Sequence, residues 1–365
     1  MPGGMNFCSP ENPDFPGNLE LCTRCGKCIP ECPSYQYYRN EAHSPRGRVF
    51  LALTLLSKKD SRELPESFKT CLMCGRCEVV CPNGVSFPKF LAFFLGEKSL
   101  DFLVTKVVPD NLKNNPVKAL SWYLREKRDI QLNKSISTGV LNTEEVKKRK
   151  IFVFYSCGLK ELYPGVLKRL KKRESLLGIS FEVLEDSVCC GSIYLNLGII
   201  KQLKKQALKN LEVLKEVKGE VLVLCSTCYW IIKHMYPVIY KGMKYEGEFK
   251  LISQKVRSGL EIFLKILENS NEFSDFFEKR TIFHLPCHLT GEEKLIKNKI
   301  KYKSFCCGSP KVALWLKGFQ RDYKKTWFKY LEKKVFLATL CTGCYLNFKA
   351  LLKEPLKVVH WLELV

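Results

Sequence analysis

The sequence predicts an α/β fold for its C-terminal part, built twice over as a small parallel sheet with flanking helices, behind an α-helical N-terminal domain. Three observations predict it. After about residue 150, short continuous runs of β-branched and aromatic residues alternate with amphipathic stretches, the pattern of parallel strands covered by helices. That alternation runs through the same order twice. Before about Phe94 the chain instead holds two compact cysteine runs with little room for a conventional core, so stability there depends on what the cysteines bind.

Eighteen of the nineteen cysteines form four ordered sets. Two are near copies: Cys22-x2-Cys25-x2-Cys28-x3-Cys32-Pro33 and Cys71-x2-Cys74-x2-Cys77-x3-Cys81-Pro82. Two are long-range: Cys157, Cys189-Cys190-Gly191 and Cys225-x2-Cys228, then Cys287, Cys306-Cys307-Gly308 and Cys341-x2-Cys344. Cys8 alone stands outside them.

Four regions follow in order. Residues 1–95 hold the compact runs; between them Ser44-Pro45-Arg46-Gly47-Arg48 forms a turn into a short helix over Val49–Leu56. Residues 96–149 lack cysteine, break at Asn114-Asn115-Pro116 and close on a basic run, as a partly helical connector. In residues 150–270, Ile151–Tyr155 precedes Cys157, Phe181–Leu184 precedes Cys189-Cys190, and Val221–Leu224 runs into Cys225. Leu203, Ala207, Leu211 and Leu214 mark a helix between the last two strands, with Gly219 placed to stop it. Residues 271–365 repeat the order, with Thr281–Phe283, Tyr302–Phe305 and Val335–Leu337 each ahead of cysteines. Every long-range cysteine thus sits at the carboxyl end of a strand, where open parallel sheets form their sites.

Composition narrows the setting. With 46% hydrophobic and 27% charged residues, the chain has the make-up of a soluble globular protein. Secreted disulfide scaffolds are short, and Met1–Pro16 has no apolar signal segment. Runs such as Ile151–Tyr155 are too short to span a bilayer. A reducing, cytoplasmic setting is expected, with thiolates kept for metal. The net charge of +23 is spread over helix faces, as in Lys201, Lys204, Lys205, Lys209 and Lys215. It suits an acidic partner or a peripheral place on the inner, anionic membrane face, and no nucleic acid.

The C-x2-C-x2-C-x3-C-P spacing matches the ligand run of two-cluster ferredoxins, in which the fourth cysteine serves the other cluster. Cys22, Cys25, Cys28 and Cys81 are assigned to one [4Fe–4S] cubane, and Cys71, Cys74, Cys77 and Cys32 to a second. Structural zinc competes, since it also favours C-x2-C pairs, but two complete runs with prolines in register favour iron. Each long-range set offers five thiols from three strand ends, whereas a cubane takes four. Gly191 and Gly308 permit the sharp turn that lets adjacent cysteines converge. Thioredoxin-like dithiols at Cys225-x2-Cys228 and Cys341-x2-Cys344, or zinc with a spare thiol, leave the twofold recurrence of all five positions unexplained.

Tyr155-Ser156-Cys157, Tyr163-Pro164-Gly165, Leu184 to Gly191 and Cys225-Ser226-Thr227-Cys228-Tyr229 resemble the CCG domain of heterodisulfide reductase catalytic subunits. His284 to Leu289, Cys306-Cys307-Gly308, Cys341-x2-Cys344 and His360 carry the likeness in the second module. With the N-terminal runs, the whole chain is similar to the CCG-domain iron–sulfur oxidoreductases. Ser44–Arg48 and Cys71–Val85 look especially like the glycolate oxidase iron–sulfur subunit family. The resemblance implies one or two further [4Fe–4S] clusters, of non-cubane type, at Cys157, Cys189, Cys190, Cys225 and Cys228 and at Cys287, Cys306, Cys307, Cys341 and Cys344. It also implies catalytic roles for Cys189, Cys190, Cys306 and Cys307 if the chain acts on disulfides. Two departures stand out. Only 18 residues separate Cys287 from Cys306 against 31 between Cys157 and Cys189, a shortening by part of a βα unit, and Ser309-Pro310 replaces the usual small-residue run.

His284, His288 and His360 read as packing or hydrogen-bonding residues, and His43, Arg46 and Arg48 as ordering the loop between the compact runs. Trp122, Trp230, Trp315, Trp327 and Trp361 read as core. No glycine-rich nucleotide fingerprint occurs at a strand-to-helix turn. Two functions remain. The first is an iron–sulfur electron-transfer subunit between a flavoprotein oxidising a small 2-hydroxy acid and a quinone, cytochrome or membrane acceptor. The second is a heterodisulfide reductase-like enzyme acting on thiols at the CCG sites.

Overall fold

The computed structural model describes residues 16–57, 64–97, 149–162, 164–197, 199–269, 280–296, 299–308, 335–351 and 357–364. Cys8, the connector over 98–148, and Trp122, Trp315 and Trp327 lie outside the described residues.

The duplicated α/β expectation holds. β1 (Arg149–Phe154), β2 (Ile179–Leu184), β3 (Glu220–Val223) and β4 (Val256–Ser258) form one sheet in the order β2-β1-β3-β4. β5 (Thr281–Pro286), β6 (Tyr302–Phe305), β7 (Phe336–Thr339) and β8 (Lys357–His360) form the other, in the order β6-β5-β7-β8. Every neighbouring pair is parallel, with Ile151 opposite Phe181 and Phe283 opposite Tyr302. Because parallel neighbours need crossovers, all strands of a sheet end on the same edge. Cys157, Cys189, Cys190 and Cys225 therefore emerge together, and so do Cys287, Cys306 and Cys341.

The order reverses beside β1 and β5, and a crevice opens at such a point. β5 is buried at all six positions, as a central strand covered on both faces requires. β4 and β8 carried no cysteine to mark them and escaped sequence reading. The shortening of the second module falls on its helices. A 3-10 turn (Cys287–Glu292) and one helical turn (Glu293–Ile296) stand where the first module has helices Cys157–Leu162, Pro164–Lys172 and Glu174–Leu177.

Two helix boundaries differ from expectation. The helix Ile200–Lys215 buries Leu203, Ala207, Leu211 and Leu214 but ends four residues before Gly219. The chain at Gly219 instead passes close over Phe152, where an added Cβ would lie 3.3 Å from the ring. The N-terminal helix starts at Pro45 and runs to Ser57, earlier than Val49. Ser44 Oγ accepts the Gly47 N–H at 2.9 Å, and proline fits the first helical position because its missing N–H has no partner to lose. This helix and Phe87–Glu97 enclose an aromatic core in which Phe68 meets Phe87 edge-on at 4.9 Å.

The last turn, Trp361–Glu363, is capped by His360, whose Nδ1 accepts the Leu362 N–H at 3.2 Å while its backbone N–H donates to the Glu363 carboxylate at 2.7 Å. Burial lowers the His360 imidazole to about 4. An unfolded chain binds this proton below the ordinary value of about 6.5, whereas the folded chain does not until about pH 4. The contribution of His360 to stability should therefore be full above pH 6.5 and fall toward pH 4, by up to about 3 kcal/mol. Denaturant midpoints across this window check it, with His360→Gln giving a flatter profile.

Gly191 and Gly308 occupy the left-handed region at φ 80° and 79°, which lets each adjacent cysteine pair turn both thiols inward. A Cβ on Gly191 would also lie 2.7 Å from Leu203 Cδ1. Gly191→Ala should cost more than about 1 kcal/mol, whereas Gly165→Ala, with open space around it, should cost far less in the same thermal melts.

Candidate metal centres

The two N-terminal runs share one backbone device. Arg24 and Met73, two residues after Cys22 and Cys71, hold φ 59° and 54°, and Gly26 and Gly75 hold 82° and 74°. Left-handed residues at matching places curl each run around a hollow; the two that are not glycine carry strain, as functional loops often do. Cys22, Cys25, Cys28, Cys77 and Cys81 line one cavity. Cys32, Cys71, Cys74 and Cys77 line a second, so that Cys77 borders both. The last cysteine of each run thus lies with the other run's set. The Val85 N–H points at Cys81 Sγ from 3.4 Å.

In the second sheet domain, Cys287, Cys306, Cys307, Cys341 and Cys344 line a cavity whose wall includes Leu72, Ile193, Thr227 and His288. In the first, the Cys157, Cys189, Cys190, Cys225 and Cys228 thiols neighbour one another. The adjacent cysteines are fixed alike in both domains: the Gly191 and Gly308 N–H groups lie 3.4 Å from Cys189 and Cys306 Sγ.

Asparagines secure these loops. Asn210, fully buried, accepts the Val188 N–H at 3.0 Å and donates to the Cys189 carbonyl at 3.3 Å and to Tyr236 Oη at 3.0 Å. Tyr236 donates to the Cys190 carbonyl at 3.0 Å. Asn347 donates to the Cys307 carbonyl. Asn210 had a legible signal, being a polar residue on the apolar stripe of its helix; Tyr236 and Asn347 had none.

Thiols also meet across domain boundaries. The Cys74 and Cys306 thiols are neighbours, joining the second N-terminal cavity to the second sheet domain. The Cys225 and Cys341 thiols are neighbours, joining the two sheet domains. Around that contact the domains exchange partners: Thr342 Oγ1 lies 3.1 Å from Cys225 Sγ, and Thr227 Oγ1 lies 3.0 Å from Cys341 Sγ. Gly158 packs so tightly on Thr342 that a Cβ would lie 2.6 Å from its hydroxyl.

His288 ties all three parts together. Its Nε2 donates to the Met73 carbonyl at 3.3 Å, its Nδ1 meets Thr227 Oγ1 at 3.1 Å, and its ring stacks on Trp230 at 4.6 Å. His284 bonds to Thr339 and to the Phe305 carbonyl inside the second domain. Both imidazoles are lowered by burial, His284 to about 4, and are neutral packing groups.

Iron–sulfur clusters fit this donor set. All eighteen cysteines are free thiols. Burial, then the neighbouring sulfurs, hold Cys77 well above the ordinary thiol range, and burial pushes Cys28 up to about 11. Thiolates so placed need a cation. Among the described residues no three His, Cys, Asp or Glu side chains close into a single-ion site of the kind zinc takes.

Asn210→Ala leaves buried donors and acceptors without partners and should cost about 1–3 kcal/mol, against about 1 kcal/mol for Tyr236→Phe. Chemical denaturation of the loaded protein checks both values.

Residues 18–85 match the 4Fe-4S dicluster domain, and residues 151–233 and 281–349 each match the cysteine-rich domain CCG. The chain is 22% identical over 383 residues to the glycolate oxidase iron-sulfur subunit of Escherichia coli (strain K12), covering 95% of this chain and 93% of that protein. It is also 26% identical over 152 residues to one subunit of the anaerobic glycerol-3-phosphate dehydrogenase of the same strain, covering 39% of this chain and 36% of that protein. With a dicluster domain ahead of two cysteine-rich domains, and thiols gathered at each, the chain belongs to the CCG-domain iron–sulfur oxidoreductases.

Proposed function

We propose that the chain is the electron-transfer subunit of a complex in which a flavoprotein oxidises a small 2-hydroxy acid of the glycolate or lactate type. Electrons leave it for a quinone, a cytochrome or another membrane acceptor. The observation that carries this reading is the unbroken line of thiol sets, joined at Cys74–Cys306 and Cys225–Cys341. An electron relay needs redox groups at short, fixed separations, and a free-standing hydrolase or transferase does not. Near full-length similarity to the glycolate oxidase iron-sulfur subunit supports the substrate class.

The proposed ligand sets are Cys22, Cys25, Cys28 and Cys81; Cys32, Cys71, Cys74 and Cys77; Cys157, Cys189, Cys190, Cys225 and Cys228; and Cys287, Cys306, Cys307, Cys341 and Cys344. Bound there, four-iron clusters supply one-electron transfer. The chain's own residues fix the ligand loops through Asn210, Tyr236 and Asn347, and aim backbone N–H groups at Cys81, Cys189 and Cys306. The proposed regions are 1–95 for the dicluster domain, 96–149 for the connector, and 150–270 and 271–365 for the two CCG modules. Among the described residues no helix is long and apolar enough to cross a membrane. A peripheral place at the inner face of the membrane fits the net charge of +23.

A second reading, disulfide chemistry at Cys189, Cys190, Cys306 and Cys307, is favoured by one observation. Each sheet domain gathers five thiols where four would hold a cubane.

Oxygen-free purification should give brown protein with about sixteen irons per chain and matching acid-labile sulfide; colourless protein without sulfide sinks both readings. Cys190→Ser should change the paramagnetic signal of the first CCG site and spare the dicluster signals. Reduced protein that is reoxidised by a quinone but not by a mixed disulfide supports the relay, and the reverse supports the thiol enzyme.

A further inference from the structure

The first turn of the helix Pro45–Ser57 sends one arginine toward each dicluster cavity, and the two sit in opposite electrostatic surroundings. Arg46 borders the first cavity. Its side chain is 36% exposed, and its Nε donates to Glu41 at 2.6 Å. A carboxylate and solvent thus offset its charge. Arg48 borders the second cavity and is 1% exposed.

Arg48 Nε donates to the Ser67 carbonyl at 2.7 Å, and Nη2 donates to Ser34 Oγ at 3.0 Å and Thr70 Oγ1 at 3.1 Å. Nη1 points at Cys32 Sγ from 3.5 Å. Among the described residues no carboxylate pairs with it. Its partners are three neutral oxygens and one cysteine sulfur.

A buried guanidinium without an anion is strongly disfavoured. The anion available is the thiolate set of Cys32, Cys71, Cys74 and Cys77 together with whatever charge that set holds. Attraction to a fixed cation grows as the set becomes more negative, so the cation favours its reduced form. Hydrogen bonds to sulfur act in the same direction, as they do at iron–sulfur sites generally.

We propose that Arg48 is the built-in counter-charge of the Cys32, Cys71, Cys74 and Cys77 site and makes it easier to reduce than the Cys22, Cys25, Cys28 and Cys81 site. This deepens the relay reading and rests on it. One electron leaves the outer site, where Cys25 is exposed, and reduces the inner one, with no bond made and no proton required. The inner site is the one whose Cys74 touches Cys306. Arg48 positions charge rather than ligating. Electrons accordingly enter at the Cys25 end and move toward the sheet domains.

The test is an anaerobic redox titration of the loaded full-length protein with soluble mediators, followed by electron paramagnetic resonance. Cys25→Ser identifies the outer signal. In the unmodified protein the inner signal should appear at the higher potential. Arg48→Gln should lower the inner site's reduced-to-oxidised ratio at fixed potential at least tenfold, about 59 mV for one electron, and leave the outer site where it was. Arg48→Lys should restore most of that shift, and Arg46→Gln should leave the inner site unmoved.

Three results would overturn the proposal: an inner site below the outer in the unmodified protein, no shift in Arg48→Gln, or equal shifts at both sites. If Arg48→Gln fails to load, the order in the unmodified protein still decides. Mediators replace the partner, so a failed relay would appear separately, as ordered potentials in a protein that takes no electrons from a flavoprotein.

Discussion

Everything in this molecule depends on thiolates held where water cannot stabilise them. A buried sulfur anion beside others is tenable only with cationic charge among them. Neighbouring sulfurs and burial hold the protons of Cys157, Cys190, Cys228 and Cys344 on well above the ordinary thiol range. Metal replaces those protons with fixed positive charge. In the N-terminal part, where little core was expected, this exchange adds to a core that Phe68, Phe87, Phe90 and Phe94 already supply.

Parallel sheets supply the geometry. Strands that all point one way deliver three loops to a single edge, and a glycine in the left-handed region lets one loop contribute two sulfurs. The sheet edges of the two domains then face each other, so that Thr342 serves Cys225 and Thr227 serves Cys341. Each site borrows a hydroxyl from the other domain, and neither environment is complete in isolation.

Much of this was legible in the sequence. Strand positions followed from apolar runs ahead of cysteines, and the helix over Ile200–Lys215 followed from its stripe. Gly191 and Gly308 were readable because adjacent cysteines cannot converge without such a turn. What stayed hidden was set by distant packing. β4 and β8 are short and carry no chemistry. Gly219 proved to matter for Phe152 rather than for ending a helix. His288 read as a packing residue, and it is one, but nothing nearby in sequence revealed that its partners would be Met73 and Thr227. Arg48 read as a loop-ordering residue; its burial depends on the helix Phe87–Glu97 and on Ser67, which no local pattern announces.

Three links from the dicluster domain end in the last quarter of the chain: the Met73 carbonyl to His288, Arg76 to Ser304 at 2.8 Å, and Cys74 to Cys306. The first two span 215 and 228 residues, and separations of that size are slow to form. A ribosome releases the N-terminal cysteines long before the segment that will shelter Cys74 has been made. Cluster delivery to that set therefore either waits for the finished polypeptide or leaves a temporarily bare flank exposed to oxygen throughout synthesis.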